Sequence, residues 1–126
     1  MGSEALKYLI DSDVMIDHLN GRREAGEFIL EHGDESAISV ITRAEVLSGL
    51  DGDNQRIVAR LLDGFSAIGI DAAIADTAAA VRREKGWKLP DAFQVAIARQ
   101  RGLKFVTRNF RDFPPDRFKF VLIPYR

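Results

Sequence analysis

Short apolar, β-prone runs alternate along this chain with longer stretches patterned as helices, and that alternation constrains the fold more than any other feature. Leu6 to Ile10, Ala37 to Ile41, Phe65 to Ile70, Leu103 to Thr107 and Phe118 to Ile123 read as strands. Between the first two, a helix beginning at Val14 is closed by Asn20-Gly21, and residues 22–32 carry Ala25, Phe28 and Ile29 at helical spacing. Thr42-Arg43-Ala44-Glu45 has the form of a capping box opening a helix before Val46-Leu47. Gly49 to Asn54 reads as loop and Arg56 to Leu62 as helix. An alanine-rich helix over 72–84 stops at Gly86, and another opens at Pro90 and stops at Gly102. The pattern predicts an α/β fold: a mostly parallel sheet with helices on both faces. At 126 residues it predicts one domain over 1–126, with a radius of gyration of roughly 14 Å.

Composition removes several functions. There is no cysteine, so disulfides and thiolate metal sites are excluded. No apolar run approaches the ~20 residues of a membrane span, and no signal peptide is visible, so a cytoplasmic protein with no membrane partner is expected. Met1-Gly2-Ser3 is compatible with a cloning remnant. The net charge of -1 hides an asymmetry: residues 1–81 hold fifteen acids against six bases, and residues 82–126 hold four acids against twelve bases. A basic segment beside an acidic one suits a protein that handles polyanions near a metal, although two halves that neutralise each other give the same count.

In open α/β sheets, ligands bind off the carboxyl ends of the strands. Asp11 ends the first strand, and Glu45 follows the second in the first turn of its helix. Asp112 lies past the strand ending at Thr107, and Asp91 opens the helix that feeds that strand. Each has a plain alternative, above all helix capping for Glu45 and Asp91. Four carboxylates at one mouth repel strongly unless a cation neutralises them. With no cysteine and two histidines in the chain, carboxylate oxygens make a ligand set for Mg²⁺ or Mn²⁺ rather than zinc. Such a site suits phosphoryl chemistry.

Four segments taken together resemble a known family. They are Tyr8-Leu9-Ile10-Asp11-Ser12-Asp13, Ser39-Val40-Ile41-Thr42-Arg43-Ala44-Glu45, Leu89-Pro90-Asp91-Ala92 and Val106-Thr107-Arg108-Asn109-Phe110-Arg111-Asp112-Phe113. Their order and spacing, over nearly the whole chain, are similar to those of PIN-domain proteins, in particular the VapC toxins of toxin–antitoxin pairs. The resemblance implies a Rossmann-like α/β/α fold and an Mg²⁺- or Mn²⁺-dependent endoribonuclease, usually dimeric and held inactive by an antitoxin. Asp11, Glu45 and Asp91 match the three core acids of the family. For the fourth position many relatives have Asp where this chain has Asn109, while others pair Asn with an acid three residues on. Asp112 is the expected ionised group, with Asn109 as neutral ligand or orienter. Asp13 departs from the usual Asn and either strengthens metal binding or caps a helix. Thr107 either holds a ligand acid or phosphate, or is an ordinary buried strand-end residue.

Weaker expectations complete the reading. Arg108 and Arg111, ahead of Arg82, Arg83 and Arg99, are candidates for RNA phosphates. Trp87 either stacks a base or lids the core. Phe110, Phe113, Phe118 and Phe120 are expected in the core, Asp17 and Asp76 on the surface, and His18 and His32 without a role. An antitoxin helix would lie in or beside a groove bearing Met15, Leu19, Phe28, Ile29, Leu47 and Leu50. Two other functions compete. One is a haloacid dehalogenase-like phosphatase with Asp11 as nucleophile, which lacks the following Thr, the Lys and the late acidic pair. The other is a non-enzymatic receiver-like domain phosphorylated on Asp71, which lacks the characteristic loop.

Overall fold

A computed structural model describes residues 5–126; Met1-Gly2-Ser3 lies outside the described residues. In chain order the elements are β1 (Tyr8–Ile10), α1 (Ser12–Leu19), α2 (Arg23–His32), a 3-10 turn (Gly33–Glu35), β2 (Ser36–Ser39), α3 (Val40–Ser48) and α4 (Gly52–Leu62). Then follow β3 (Ser66–Ile68), α5 (Ala72–Lys85), α6 (Leu89–Arg101), β4 (Lys104–Val106) and β5 (Val121–Leu122). The strands form one sheet in the order β3-β2-β1-β4-β5. Every pairing is parallel, so the expected mostly parallel sheet is wholly parallel.

Alternation along each strand divides the core in two, because successive side chains point to opposite faces. Leu9, Ala37 and Phe105 face one way and pack against Ile74, Ala78 and Val81 of α5 and Ala92, Val95 and Ala96 of α6. Their neighbours Ile10, Ile38 and Val106 face the other way, against Val14 and Met15 of α1, Ala25 of α2, Val46 of α3 and Leu62 of α4. A sheet buried on both faces explains why its strands read as continuous apolar runs. Gly86 and Gly102 end α5 and α6 in the left-handed region, at φ 75° and 66°, where a side chain would be strained.

The chain runs from β1 outward to β2 and β3, then crosses back through α5 and α6 to β4 on the other side of β1. The switch point of the sheet therefore lies between β1 and β4. Asp11 and Thr107 follow the last residues of these two strands, Ile10 and Val106, which pair with each other.

Several expected boundaries move. The second strand stops at Ser39, and Ser39, not Thr42, caps α3: its side chain accepts the Thr42 N–H. Thr42 thereby becomes the third helical residue, and Glu45 lies in the second turn rather than the first, so the capping-box reading of Glu45 fails. The helix expected from Arg56 begins at Gly52, its first turn closed by the Gln55 N–H donating to the Asp51 carbonyl at 3.2 Å. The final strand is only Val121–Leu122, since Phe118 and Phe120 pack against the core from a turn instead. Phe110 is 41% exposed and is not core; the Arg126 guanidinium lies 4.4 Å from its ring centroid.

Phe113 belongs to the core as expected, with its ring 4.8 Å from Trp87 and 5.3 Å from Phe105, centroid to centroid. Its backbone N–H donates to the Asn109 carbonyl, so this ring anchors the loop that carries Asn109 and Asp112. Phe113→Ala is expected to lower unfolding free energy by about 3–5 kcal/mol. Urea denaturation checks this; a loss under about 1 kcal/mol would show that the ring is not a core anchor.

Candidate active site

Asp11 is the N-cap of α1, which places a carboxylate at the carboxyl end of the central strand. Its Oδ1 accepts the Ser12 N–H at 2.8 Å and its Oδ2 accepts the Thr107 hydroxyl at 2.8 Å. The residue is 7% exposed. Burial, reinforced by the negative charge of Asp13, pushes its pKa up to about 7, against the pull of the Thr107 and Ser12 hydrogen bonds.

Asp13 stands beside it in the first turn of α1. Its Oδ2 accepts the Arg108 N–H at 3.0 Å and lies 3.2 Å from Thr107 Oγ1. Thr107 thus has one hydroxyl proton between two carboxylates, while its oxygen accepts the Asn109 N–H at 3.1 Å. It is therefore not an idle strand-end residue. The other Asp13 oxygen, Oδ1, is buried without a hydrogen-bond partner. Burial raises the Asp13 pKa as well. A buried carboxylate oxygen with no donor is costly, and a cation is the partner that removes the cost.

Asp91 is the third residue of α6, behind Pro90, and is half-buried. Its pKa is raised first by burial and then by the charges of Glu45 and Asp112. Glu45 and Asp112 are themselves exposed. Asn109 and Asp112 hold each other: Asn109 Nδ2 donates to Asp112 Oδ2 at 2.9 Å, and the Asp112 N–H donates to Asn109 Oδ1 at 3.1 Å. One mouth at the switch point thus gathers these acids closely enough for the charges of Asp13 and Asp91 to raise the Asp11 pKa and those of Glu45, Asp112 and Asp13 to raise the Asp91 pKa.

Among the described residues no three acidic or histidine side chains already close on a single point at ligand distance. The fit to a cation rests instead on the donor chemistry and on the orphaned Asp13 oxygen. Hard oxygen donors without sulfur suit Mg²⁺ or Mn²⁺. Asp11, Asp13 and Asp91 are the residues that could hold one, while Glu45 and Asp112 are exposed.

The basic candidates fare unevenly. Arg111 is exposed. The Arg108 guanidinium is turned to Asp17, with Nε 2.6 Å from Oδ2. Asp17 also accepts the Tyr125 hydroxyl at 2.8 Å, and its side chain is only 16% exposed. Asp17 is accordingly no surface acid: it ties α1 to the loop after β4 and to the end of the chain. Arg22, five residues on, is a near partner, but the tie to Arg108 and Tyr125 was invisible in sequence because Tyr125 lies 108 residues away. Gln94, fully buried one turn beyond Asp91, was also missed; a lone amide within the apolar run from Ala92 to Ala98 was the available signal. Trp87 is buried against Phe113 and Phe118 and acts as a lid on the core. Asp71 caps α5 by accepting the Ile74 N–H, beyond the edge strand β3 and away from the acidic mouth.

A family model described as PIN domain matches residues 8–114. The chain is similar to a toxin–antitoxin complex from Klebsiella pneumoniae at 36% identity and a TM-score of 0.86, covering 95% of this chain and 99% of that one. It is also similar to DNA-bound VapBC from Salmonella typhimurium (23% identity, TM-score 0.76, 86% and 90% covered). FitAcB from Neisseria gonorrhoeae is a third neighbour (21% identity, TM-score 0.73, 93% and 97% covered). The last two likenesses speak for the fold alone. No curated protein matches the chain.

The raised Asp11 pKa carries a signed consequence for the metal-free protein. The folded state holds this proton to higher pH than the unfolded chain does, so stability falls as pH rises from about 4 to about 7. Asp11→Asn removes the titration while its amide can still bond to Ser12 and Thr107. In EDTA the variant is expected to melt higher than wild type at pH 8, with the gap closing toward pH 4. A variant that melts lower at pH 8 would show that the carboxylate is not a stability cost.

Proposed function

The chain belongs to the PIN-domain family, and from that membership we propose that it is the toxin of a toxin–antitoxin pair, an endoribonuclease that hydrolyses RNA at an Mg²⁺ or Mn²⁺ site. The observation that carries this reading is the acidic mouth at the switch point, where Asp11 is buried with its pKa up at about 7 and one Asp13 oxygen has no donor. When bound, a divalent ion supplies Lewis acidity toward a phosphodiester and eases deprotonation of the attacking water. The chain's own residues do the rest. Thr107 and the Ser12 N–H orient Asp11, and the Arg108 N–H orients Asp13. In this reading Asp91 and Glu45 complete the acidic set, and Asp112, held by Asn109, takes the fourth acidic position.

The phosphatase alternative is less well supported, because the chain lacks the following Thr, the Lys and the late acidic pair that such an enzyme needs. The receiver alternative suffers from the position of Asp71 as a helix cap beyond an edge strand. Asp91→Asn is nearly isosteric and removes one negative charge. It is expected to reduce Mn²⁺-dependent RNA cleavage by more than the ~10–100-fold typical of an outer-shell change, with the circular dichroism spectrum unchanged. Wild-type cleavage by Asp91→Asn would remove Asp91 from the site.

The antitoxin partner has a candidate seat. A groove of about 350 Å³ is lined by Ile16, Leu19, Leu50, Ile57 and Val58, with Glu45 in its wall. Leu19 and Leu50 match the groove residues expected from sequence. Met15 is instead buried core, and Phe28, Ile29 and Leu47 pack against that core. Ile57 is 58% and Ile16 39% exposed, so the groove presents apolar side chains to solvent. An amphipathic helix laid there would bring a basic side chain past Glu45 to the acidic mouth, where an arginine fork suits carboxylates. Its binding and that of the ion would then oppose each other reciprocally. Ile57→Asp is expected to weaken binding of the cognate antitoxin at least about tenfold by calorimetry, the scale of a lost apolar anchor. Unchanged affinity would place the antitoxin elsewhere.

A further inference from the structure

Behind the acidic mouth lies a buried polar relay. Gln94 sits one turn along α6 from Asp91 and is 1% exposed. Its Oε1 accepts the Ser39 hydroxyl at 2.8 Å, and its Nε2 donates to Thr42 Oγ1 at 2.7 Å. Thr42 Oγ1 donates in turn to the Ile10 carbonyl at 3.2 Å, and Ser39 Oγ accepts the Thr42 N–H at 3.1 Å. Each hydroxyl donates once and accepts once, and both ends of the amide are used. Ser39 and Thr42 are wholly buried.

An apolar side chain would fill this space without needing partners. An amide among Val95, Ala96 and Ile97 costs desolvation and is tolerated only when fully bonded. What hydrogen bonds add to apolar contact is direction: they fix separations that packing alone leaves free to slide. Here the direction has an address. Ile10 immediately precedes Asp11. Thr42 lies three residues before Glu45 on α3, and Gln94 lies three residues after Asp91 on α6, one turn away in each case. Three acid-bearing elements are thus joined to a single relay by one residue or one helical turn.

We propose that Gln94 is a positioning residue for the cation site, setting through Ser39, Thr42 and the Ile10 carbonyl the spacing of Asp11, Glu45 and Asp91; this rests on the metal-nuclease reading above. Gln94 is too deeply buried to meet an ion or RNA itself, and acts through α3 and β1.

The test titrates Mn²⁺ alone into metal-free wild type, Gln94→Met, Thr42→Val and Thr42→Ser, reading free Mn²⁺ by electron paramagnetic resonance, with a thermal melt of each. Gln94→Met and Thr42→Val are expected to bind Mn²⁺ roughly tenfold more weakly, the scale seen for outer-shell partners. Thr42→Ser keeps the hydroxyl and is expected to recover most of the affinity. In RNA cleavage at saturating Mn²⁺, Gln94→Met is expected to lose kcat while KM for RNA holds. Equal Mn²⁺ affinity in all four proteins, with only melting temperatures changed, would overturn the positioning role and leave the nuclease reading standing. A wild type that binds no Mn²⁺ would instead overturn the nuclease reading, and the relay's role with it. If Gln94→Met does not fold, the two Thr42 variants decide alone: loss in Val but not Ser supports the relay, and equal affinity overturns it.

Discussion

The burial of a carboxylate at the switch point of a parallel sheet is the constraint around which this protein is arranged. Asp11 is removed from water between β1 and β4, and neither an ion pair nor a positive side chain offsets its charge there. Its compensation is a backbone N–H from Ser12 and the hydroxyl of Thr107. The hydroxyl also lies within reach of Asp13, so one proton serves two acids that repel each other. An arrangement of this kind persists only where the surrounding structure over-determines it. The two core clusters that grip the sheet from either face provide that surplus.

The scaffold brings acids to the mouth while limiting the cost of bringing them there. Asp11 caps α1, Asp13 lies in the first turn of α1, and Asp91 lies in the first turn of α6, so the positive ends of two helix dipoles meet three of the five carboxylates. Glu45 and Asp112 remain in solvent, where their charge is screened and inexpensive. Asp11 and Asp13 are fixed by hydrogen bonds at the floor of the mouth, and Asp112 is held at its rim by Asn109. The Asp17 network contributes at one remove, since the loop whose Arg108 N–H reaches Asp13 is tied to α1 and to Tyr125 through the same carboxylate.

Much of this was legible in the residues themselves. Apolar runs of β-branched and aromatic residues set between helical periodicities announced the parallel sheet, and Gly86 and Gly102 marked real helix ends because only the left-handed conformation closes them. The acids at strand ends and helix starts were legible for the same reason: in a parallel sheet every strand ends on the same side. Less legible were helix starts that depend on which hydroxyl wins a backbone N–H. Ser39 and Thr42 are both acceptable caps by type, and the choice fell to Ser39 because the Thr42 hydroxyl is engaged by Gln94 and the Ile10 carbonyl. Phe110 shows the converse failure: an aromatic beside the real anchor Phe113 reads as core, yet the loop turns it outward beneath Arg126.

The sequence by itself determined the layer architecture, the family pattern and the set of acids, because these follow from local periodicity and from residues that are neighbours along the chain. Only the tertiary structure decided what those residues touch. That Thr107 serves Asp11, that Asp17 answers Arg108 and Tyr125, and that Gln94 ties α6 to α3 are contacts between residues 52 to 108 positions apart. A buried polar group takes whichever partner the packed core leaves within about 3 Å, and sequence spacing carries no record of which one that is.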